Sequence, residues 1–408
     1  MKKIKIIILT ATRAEYGLLK PLMLGMLGDS YYDTRIAVTG MHLSPEFGMT
    51  VKEIEADKIP IDKRIEIVLS SDTPVALSKC MGLAMISFSE YFEESKPDAL
   101  IVLGDRYETL AVCCAAMNAR IPIFHLYGGE ATEGLIDEAI RHSITKMSYL
   151  HFTSTEVYRK RVIQMGEEPE RVFNVGAMGV ENALNTELLS TEELGESIGF
   201  SLGDAYAVGT FHPVTLEDKT SESQIQELLS ALDSYSEIKY LFTKANADTD
   251  GRIINKTLEE YAKSHDNFCL VDSLGMKRYL SALKHALFVI GNSSSGLVEV
   301  PAFHIPTINI GDRQRGRIAG ETVINCESYQ HNIENAIAKA LSPAFRKKIL
   351  NAKNPYGDGN TSRKIMDTIK TFFVKNKIDI KKKFYDIDFN AQCQNVQEIK
   401  DKQKALNI

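Results

Sequence analysis

An α/β fold, with two Rossmann-like domains built on parallel strands, is the class this sequence predicts. Three observations predict it. Continuously apolar runs of strand length recur down the chain, from IKIIIL (4–9) to TINIG (307–311), as strands covered on both faces require. Helical patterns lie between them, and repeated strand–helix alternation builds a doubly wound sheet. The series also splits into two halves of similar size, divided by the polar, Glu-rich segment NTELLSTEELGESIG (185–199). A chain of 408 residues has ample length for two such cores.

The first unit is expected over 1–184. IKIIIL is a strand, and TATRAEYG (10–17) is its loop into the helix LLKPLMLGML. A strand, a short loop and a helix N-terminus form an anion site, here without the Gly fingerprint. Arg13 is therefore a phosphate candidate, or one half of a surface ion pair. TRIAVTG (34–40) is the next strand, followed by a polar loop with His42 and Gly48; VKEIEADKI and 75–95 read as helices. ALIVLG (99–104) and IPIF (121–124) are buried strands, and each runs directly into polar residues. Asp105, Arg106 and Glu108 follow the first; His125, Tyr127, Glu130, Asp137 and His142 follow the second. Ligand crevices lie outside the carboxyl ends of such strands, so this stretch is the expected acid–base rim. An Asp placed there can also be an ordinary helix cap. HFTSTEVYRKRVIQMG (151–166) supplies a strand and a helix, and RVFNVGAMGVENAL (171–184) a last strand and an exit loop.

After a linker over 185–204, the second unit is expected over 205–375. Its strands are AYAVGTFH (205–212), IKYLFTKAN (238–246), NFCLVD (267–272), ALFVIG (286–291) and TINIG. SQIQELLSALDSY, IINKTLEEYAKS and MKRYLSALKHA are the helices between them, with another from about Asn360. Residues 376–408 read as a polar, loosely held tail.

Composition removes several function classes. Hydrophobic residues at 44% and charged residues at 25% are those of a soluble globular chain. A net charge of -6 argues against a nucleic-acid surface. Six Cys show no metal spacing, and adjacent Cys113 and Cys114 on an apolar stretch read as reduced core residues. The opening MKKIKIIIL imitates a secretion signal until Arg13 and Glu15 interrupt it, and no apolar run approaches the ~18 residues of a membrane span. A cytoplasmic protein with neither nucleic-acid nor membrane partners is expected.

The most specific motif is GNSSSGLVE (291–299). Gly291 permits a tight turn, while Ser293, Ser294, Ser295 and Gly296 offer hydroxyls and amides at a helix start, whose dipole would favour a phosphate. Glu299, one turn on, can accept bonds from both hydroxyls of a ribose. GDRQRGR (311–317) adds three arginines; Arg313, nearest the strand, is the diphosphate candidate, with Arg315 and Arg317 expected in solvent. His212 follows the first strand of the second unit and is either structural, a diphosphate hydrogen-bonder or a proton carrier. No Walker A, GxGxxG, HExxH or zinc pattern is present. Chemistry would then come from carboxylates and His without a cofactor, on a nucleotide-sugar held between the two units.

These motifs together resemble the hydrolysing UDP-N-acetylglucosamine 2-epimerases of bacterial sialic-acid synthesis. The likeness runs over about 3–375 and into KKFYDI near the end. It rests on TRAEYG (12–17), AVTGMHLSPEFG (37–48), VLGDRYE (102–108), the GGE before DEAIRHSITKMS (137–148), HFTSTEVYRKRVIQMGE (151–167), NVGAMGVENAL, GNSSSGLVEVP and INIGDRQRGR. The resemblance implies a glycosyltransferase-B-like fold, with two Rossmann-like domains facing across a cleft, and a homodimer or homotetramer. It implies anti elimination of UDP to a 2-acetamidoglucal, then hydration to N-acetylmannosamine. Arg13, Ser293, Ser294 and Arg313 would hold phosphates, Glu299 the ribose, and His212 the diphosphate side. Asp105, the rim near Tyr127, and Asp137 match positions linked to acid–base chemistry. A base among Asp105, Glu130 and Asp137 would be tuned by Arg106, His142 and Lys146. The chain departs from the family at Tyr127, where some members carry a catalytic Glu and other bacterial members a His. A sister activity on UDP-N,N'-diacetylbacillosamine, a non-hydrolysing epimerase, a glycosyltransferase and a UDP-sugar sensor are the competing readings.

Overall fold

A computed structural model describes residues 3–71, 73–131, 136–213, 221–245, 251–375 and 378–388. The first sheet holds β1 (Ile4–Thr10), β2 (Tyr32–Thr39), β3 (Lys63–Ile65), β4 (Ala99–Leu103), β5 (Ile123–Leu126), β6 (Leu150–Thr153) and β7 (Val172–Asn174). Their spatial order is β3-β2-β1-β4-β5-β6-β7, and every pairing is parallel. The second sheet holds β8 (Tyr206–Thr210), β9 (Lys239–Thr243), β10 (Phe268–Val271), β11 (Val289–Gly291), β12 (Thr307–Ile310) and β13 (Val323–Cys326). It is also wholly parallel, in the order β10-β9-β8-β11-β12-β13. These are the two Rossmann-like domains that the apolar runs require, in the glycosyltransferase-B arrangement. The short strands β3 and β13 are additions to the expected set, at sheet edges where little apolar sequence is needed.

Each sheet reverses its strand order once, between β1 and β4 and between β8 and β11. Such switch points leave a crevice at the strands' carboxyl ends. Local sequence shapes these ends. Thr12 caps the helix Arg13–Leu27 by accepting from the Glu15 amide at 3.3 Å, and Glu15 Oε2 accepts from the amides of Ala11 and Thr12 at 2.8 and 3.2 Å. This reciprocal box fixes the angle at which the chain leaves β1.

Three segments differ from the expected layout. The exit loop after β7 contains the helix Met178–Asn185, and the linker contains the helix Thr191–Ile198, capped reciprocally by Ser190 and Glu193. Leu194 buries against Tyr206 and Leu280, so this linker is packed on the second domain. The helix Thr361–Lys375, expected to finish the second domain, crosses back to the first. There Ile365, Ile369 and Phe372 join the core formed by Ile6, Leu22 and Ile101. Residues 378–388 of the expected loose tail then lie along the first domain, with Tyr385 N bonded to Gly166 O at 3.0 Å. A small apolar cluster of Tyr158, Ala177, Val180 and Tyr356 joins the two domains. No helix among the described residues is long and apolar enough to cross a membrane.

Candidate functional site

At the carboxyl end of the first sheet, β4 runs through Gly104, in the left-handed region at φ 73°, into Asp105. Asp105 Oδ2 accepts from Arg141 Nη2, and Arg141 Nη1 donates to Glu138 Oε2 and to the Glu130 carbonyl, both at 2.7 Å. Arg141 is only 4% exposed, so one buried guanidinium ties the strand end, the Gly-Gly loop and the helix Ile136–Met147 together. Burial and the charge of Asp105 push the Asp137 carboxyl up, against Arg141 and Arg106. Burial likewise raises Glu130, offset by Arg317, by the Ser154 hydroxyl at 2.7 Å and by Arg141. Residues 132–135 between them lie outside the described residues.

Behind this group sits a second knot. Arg106 Nε donates to the fully buried Glu108 at 2.5 Å. Burial pushes Glu15 up to about 7, opposed by the Ala11 amide, raised further by Glu108 and lowered by Arg106.

The second sheet contributes the opposite wall. Gly291 has φ 133°, and a Cβ there would stand 1.9 Å from the Thr210 carbonyl, so only glycine lets β11 close on β8. Asn292, fully buried, accepts from the His212 amide at 2.7 Å and donates to the His212 carbonyl at 2.8 Å. This clamp fixes both strand exits relative to each other. The helix after Ser294 is a single turn, Ser295–Val298. The expected contribution of a long helix dipole is therefore small, and backbone amides with the serine hydroxyls are the available anion donors. Gly296 packs against Thr307, where a Cβ would lie 2.6 Å from Cγ2. Burial pushes Glu299 up to about 7, with Ser295 and Arg317 lowering it and Glu130 raising it. Its Oε1 lies 2.1 Å from where a Cβ on Gly179 would stand.

Arg13, His212, Ser293, Ser295 and Glu299 line one cleft of about 610 Å³ between the domains, together with Gly17, Asn182 and Tyr279. Ser294 stands at the head of the turn beside it without a side-chain capping bond, and Arg313 Nη1 donates to the Asn292 carbonyl at 3.3 Å just behind. Asp105, Glu130 and Asp137 form the separate group around Arg141. The two groups meet at Glu130, Arg317 and Glu299, where the Arg317 charge bears on both carboxyls. Arg317 is half-buried and near enough to act on both carboxyls, so it is not simply in solvent, whereas Arg315 pairs with exposed Asp312 at 3.2 Å.

Tyr127 stands at this junction with φ 71°, an uncommon conformation for a side chain of its size. Its hydroxyl accepts from the Met178 amide at 2.8 Å, so it caps the interdomain helix. Of the other expected members, His142 stands at the edge of the Arg141 group, while Lys146 and His125 lie outside it. His142 bonds Glu138 at 3.1 Å, and Lys146 turns away to Glu167 at 2.6 Å because it sits at the far end of the same helix. His125 points within β5, bonded to the Gly104 carbonyl at 2.8 Å, and burial pushes it down to about 3. His42 lies between Thr10 and Thr50 at 3.0 and 2.8 Å, pushed down by burial to about 4. The imidazoles of His125 and His42, neutral and with both ring nitrogens bonded, are structural.

Sequence reasoning missed Arg141, Asn292 and Arg317. Arg141 follows Asp137 and Glu138 by four and three positions, a spacing that ordinarily marks a solvated helix pair. Asn292 sat unread inside GNSSSG.

Residues 27–370 match the family model described as UDP-N-acetylglucosamine 2-epimerase. A GDP/UDP-N,N'-diacetylbacillosamine 2-epimerase (hydrolyzing) of Campylobacter jejuni is 43% identical over 387 residues, 93% of this chain and 100% of that one. Polysialic acid biosynthesis protein P7 of Escherichia coli is 40% identical, over 94% of this chain and 97% of its own. The crystal structure of UDP-GlcNAc 2-epimerase from Neisseria meningitidis bound to UDP-GlcNAc has the same fold, with a TM-score of 0.73 at 19% identity, covering 90% of this chain and 100% of that one. The chain belongs to the UDP-N-acetylglucosamine 2-epimerase family.

Proposed function

We propose that this protein is a hydrolysing 2-epimerase of a UDP-linked 2-acetamido sugar. The observation that carries the reading is the meeting of two halves: a carboxylate group organised by Arg141 on one domain, and the serine turn 293–296 with Glu299 on the other. Arg13, Ser293, Ser294 and Arg313 take the diphosphate, His212 steadies its leaving side, and Glu299 accepts from the ribose hydroxyls. The proton at sugar carbon 2 is weakly acidic, so its removal needs a placed base while the leaving diphosphate is stabilised. Asp105, held by Arg141, takes that proton as the carbon 1–oxygen bond to UDP breaks, leaving a 2-acetamidoglucal. Asp137, whose carboxyl burial and Asp105 push up, returns a proton to carbon 2 from the other face as water adds to carbon 1. Glu130 orders that water and takes the proton it loses, and Tyr127 shapes the pocket through its hold on the interdomain helix.

For the sugar, the Campylobacter relative at 43% identity favours UDP-N,N'-diacetylbacillosamine. The second reading is UDP-N-acetylglucosamine, giving N-acetylmannosamine for a sialic-acid route, favoured by the Escherichia coli P7 relative at 40%. A homodimer or homotetramer is the proposed assembly, supported by Val75, Leu83 and Ile86, which the helix Pro74–Ser95 leaves exposed.

Incubation with each sugar nucleotide in heavy water, followed by proton NMR, tests the proposal. Free epimerised sugar carrying deuterium at carbon 2, plus UDP, is expected. An epimer still linked to UDP, or no turnover of either, overturns it. Asp105→Asn should cut sugar release by about 10²–10⁴-fold while UDP still binds; full turnover would sink the assignment.

A further inference from the structure

Outside the cleft lies a buried charge cluster that the reaction above does not use. Glu167, its side chain wholly buried, accepts from Lys146 Nζ at 2.6 Å on Oε1, and from His151 Nε2 at 2.9 Å and Lys382 Nζ at 2.6 Å on Oε2. Burial alone would raise this carboxyl, but the bonds from His151, Lys146 and Lys382 bring it down to about 2. Lys382 belongs to the segment 378–388. Its ammonium also donates to the carbonyls of Lys146 and Ser148, at 2.9 and 2.7 Å, which close the helix Ile136–Met147. Two residues on, the Phe384 ring covers Gly166, with its nearest atom 2.3 Å from where a Cβ would stand, and lies 5.1 Å from the Lys146 ammonium.

The helix so gripped is the one that carries Asp137, Glu138 and Arg141. Lys146 stands nine residues beyond Asp137, about 14 Å along the axis. The helix is therefore pinned at two points: at its middle by Arg141 to Asp105 and the Glu130 carbonyl, and at its C-terminal end by Lys146 and Lys382 to Glu167. Charge-assisted bonds to a buried carboxylate hold a helix end far more firmly than exposed pairs do. A cation at the C-terminal carbonyls also suits the helix polarity.

We propose that Lys382 and Phe384 are positioning residues. The strap 378–388 fixes the far end of the helix Ile136–Met147 and so sets where Asp137 and Arg141 stand against Asp105. This rests on reading those residues as the acid–base group. Freed from the strap, the helix pivots about Arg141. A displacement near 1 Å is enough to cost up to ~10²-fold in rate.

Three full-length variants test it: Lys382→Met, Lys382→Arg and Phe384→Ala. Lys382→Met should lower kcat about 10-fold or more while the Kd for UDP, measured by calorimetry, stays within about twofold, because no residue of the UDP grip lies on the helix Ile136–Met147 and all but Arg13 are on the other domain. Amide hydrogen exchange over 136–147 should rise about 10-fold. Lys382→Arg should recover most of both, since it restores the buried pair. Phe384 is 65% exposed, so Phe384→Ala keeps its fold and should move both readouts the same way by a smaller factor. Unchanged exchange in Lys382→Met overturns the proposal, and so does a loss of kcat matched by equal loss of UDP affinity. If the wild-type protein releases no sugar, the functional reading fails, and exchange alone then decides: raised supports the strap's role, unchanged removes it.

Discussion

Replacing Arg141 with Met should cost the protein stability and move its pH–rate profile. The guanidinium is 4% exposed and joins Asp105, Glu138 and the Glu130 carbonyl. Removing one partner of a fully buried ion pair costs ~3–5 kcal/mol. Here Asp105 and Glu138 keep 26% and 30% exposure, so water recovers part of the loss. The lower end, about 3 kcal/mol, is the better figure. A domain of ~200 residues loses roughly 2–4 °C in Tm per kcal/mol, so the melt should fall by about 6–12 °C. Arg141 also opposes the burial that raises Glu130 and Asp137. Without it both carboxyls climb further, so the acid limb moves to higher pH with Glu130, and the alkaline limb moves the same way with the proton donor Asp137. Arg141→Lys returns the charge without the planar fork, so it should restore the profile better than the melt. Calorimetric melting and a pH–rate series read both effects. A variant melting within about 2 °C of wild type, with its acid limb unmoved, would refute the reasoning.

Two further substitutions follow from buried carboxyls and close approaches. Glu15 rises from 4.5 to about 7 on folding, so the native state holds an extra proton across that window, and stability falls as pH rises through it. Glu15→Gln keeps the acceptor for the Ala11 and Thr12 amides and removes the titration. The variant should gain up to about 3 kcal/mol over wild type between pH 5 and pH 8 in urea melts, and an identical pH dependence would count against this account. In Gly179→Ala the new methyl would occupy the space of Glu299 Oε1, 2.1 Å away, and that flexible carboxylate must swing aside. UDP affinity should drop about 10-fold by calorimetry with little change in Tm; unchanged affinity would remove Glu299 from the ribose contact.

Legibility in the sequence followed the range of the interactions involved. The central strands read clearly because burial on both faces demands unbroken apolar runs, as in β1 and β4. GNSSSG was legible because its glycines answer backbone demands, a positive φ and a close approach to Thr210 at Gly291 and a close approach to Thr307 at Gly296. Edge strand β3 has the sequence KRI, which carries no such signal. Arg141 looked like a surface helix residue, since its burial depends on β4 and the Gly-Gly loop closing over it. The arginines of GDRQRGR have equal chemistry, and only the folded loop leaves Arg315 exposed and Arg317 half-buried within electrostatic reach of Glu130. The return of helix Thr361–Lys375 to the first core rests on contacts such as Tyr32 Oη to the Met366 carbonyl, 334 residues apart in sequence. No local pattern encodes a pairing at that distance.

That return helix also sets an order of assembly on the ribosome. Ile365, Ile369 and Phe372 are worth ~1.5–3 kcal/mol each on burial, and they cover a face of the first sheet that stays bare while the second domain is being made. The second domain has every strand of its sheet in hand by Cys326, before Thr361 is reached. The domain synthesised first is therefore completed last, and a nascent chain halted before Thr361 carries a finished second domain beside an open first one.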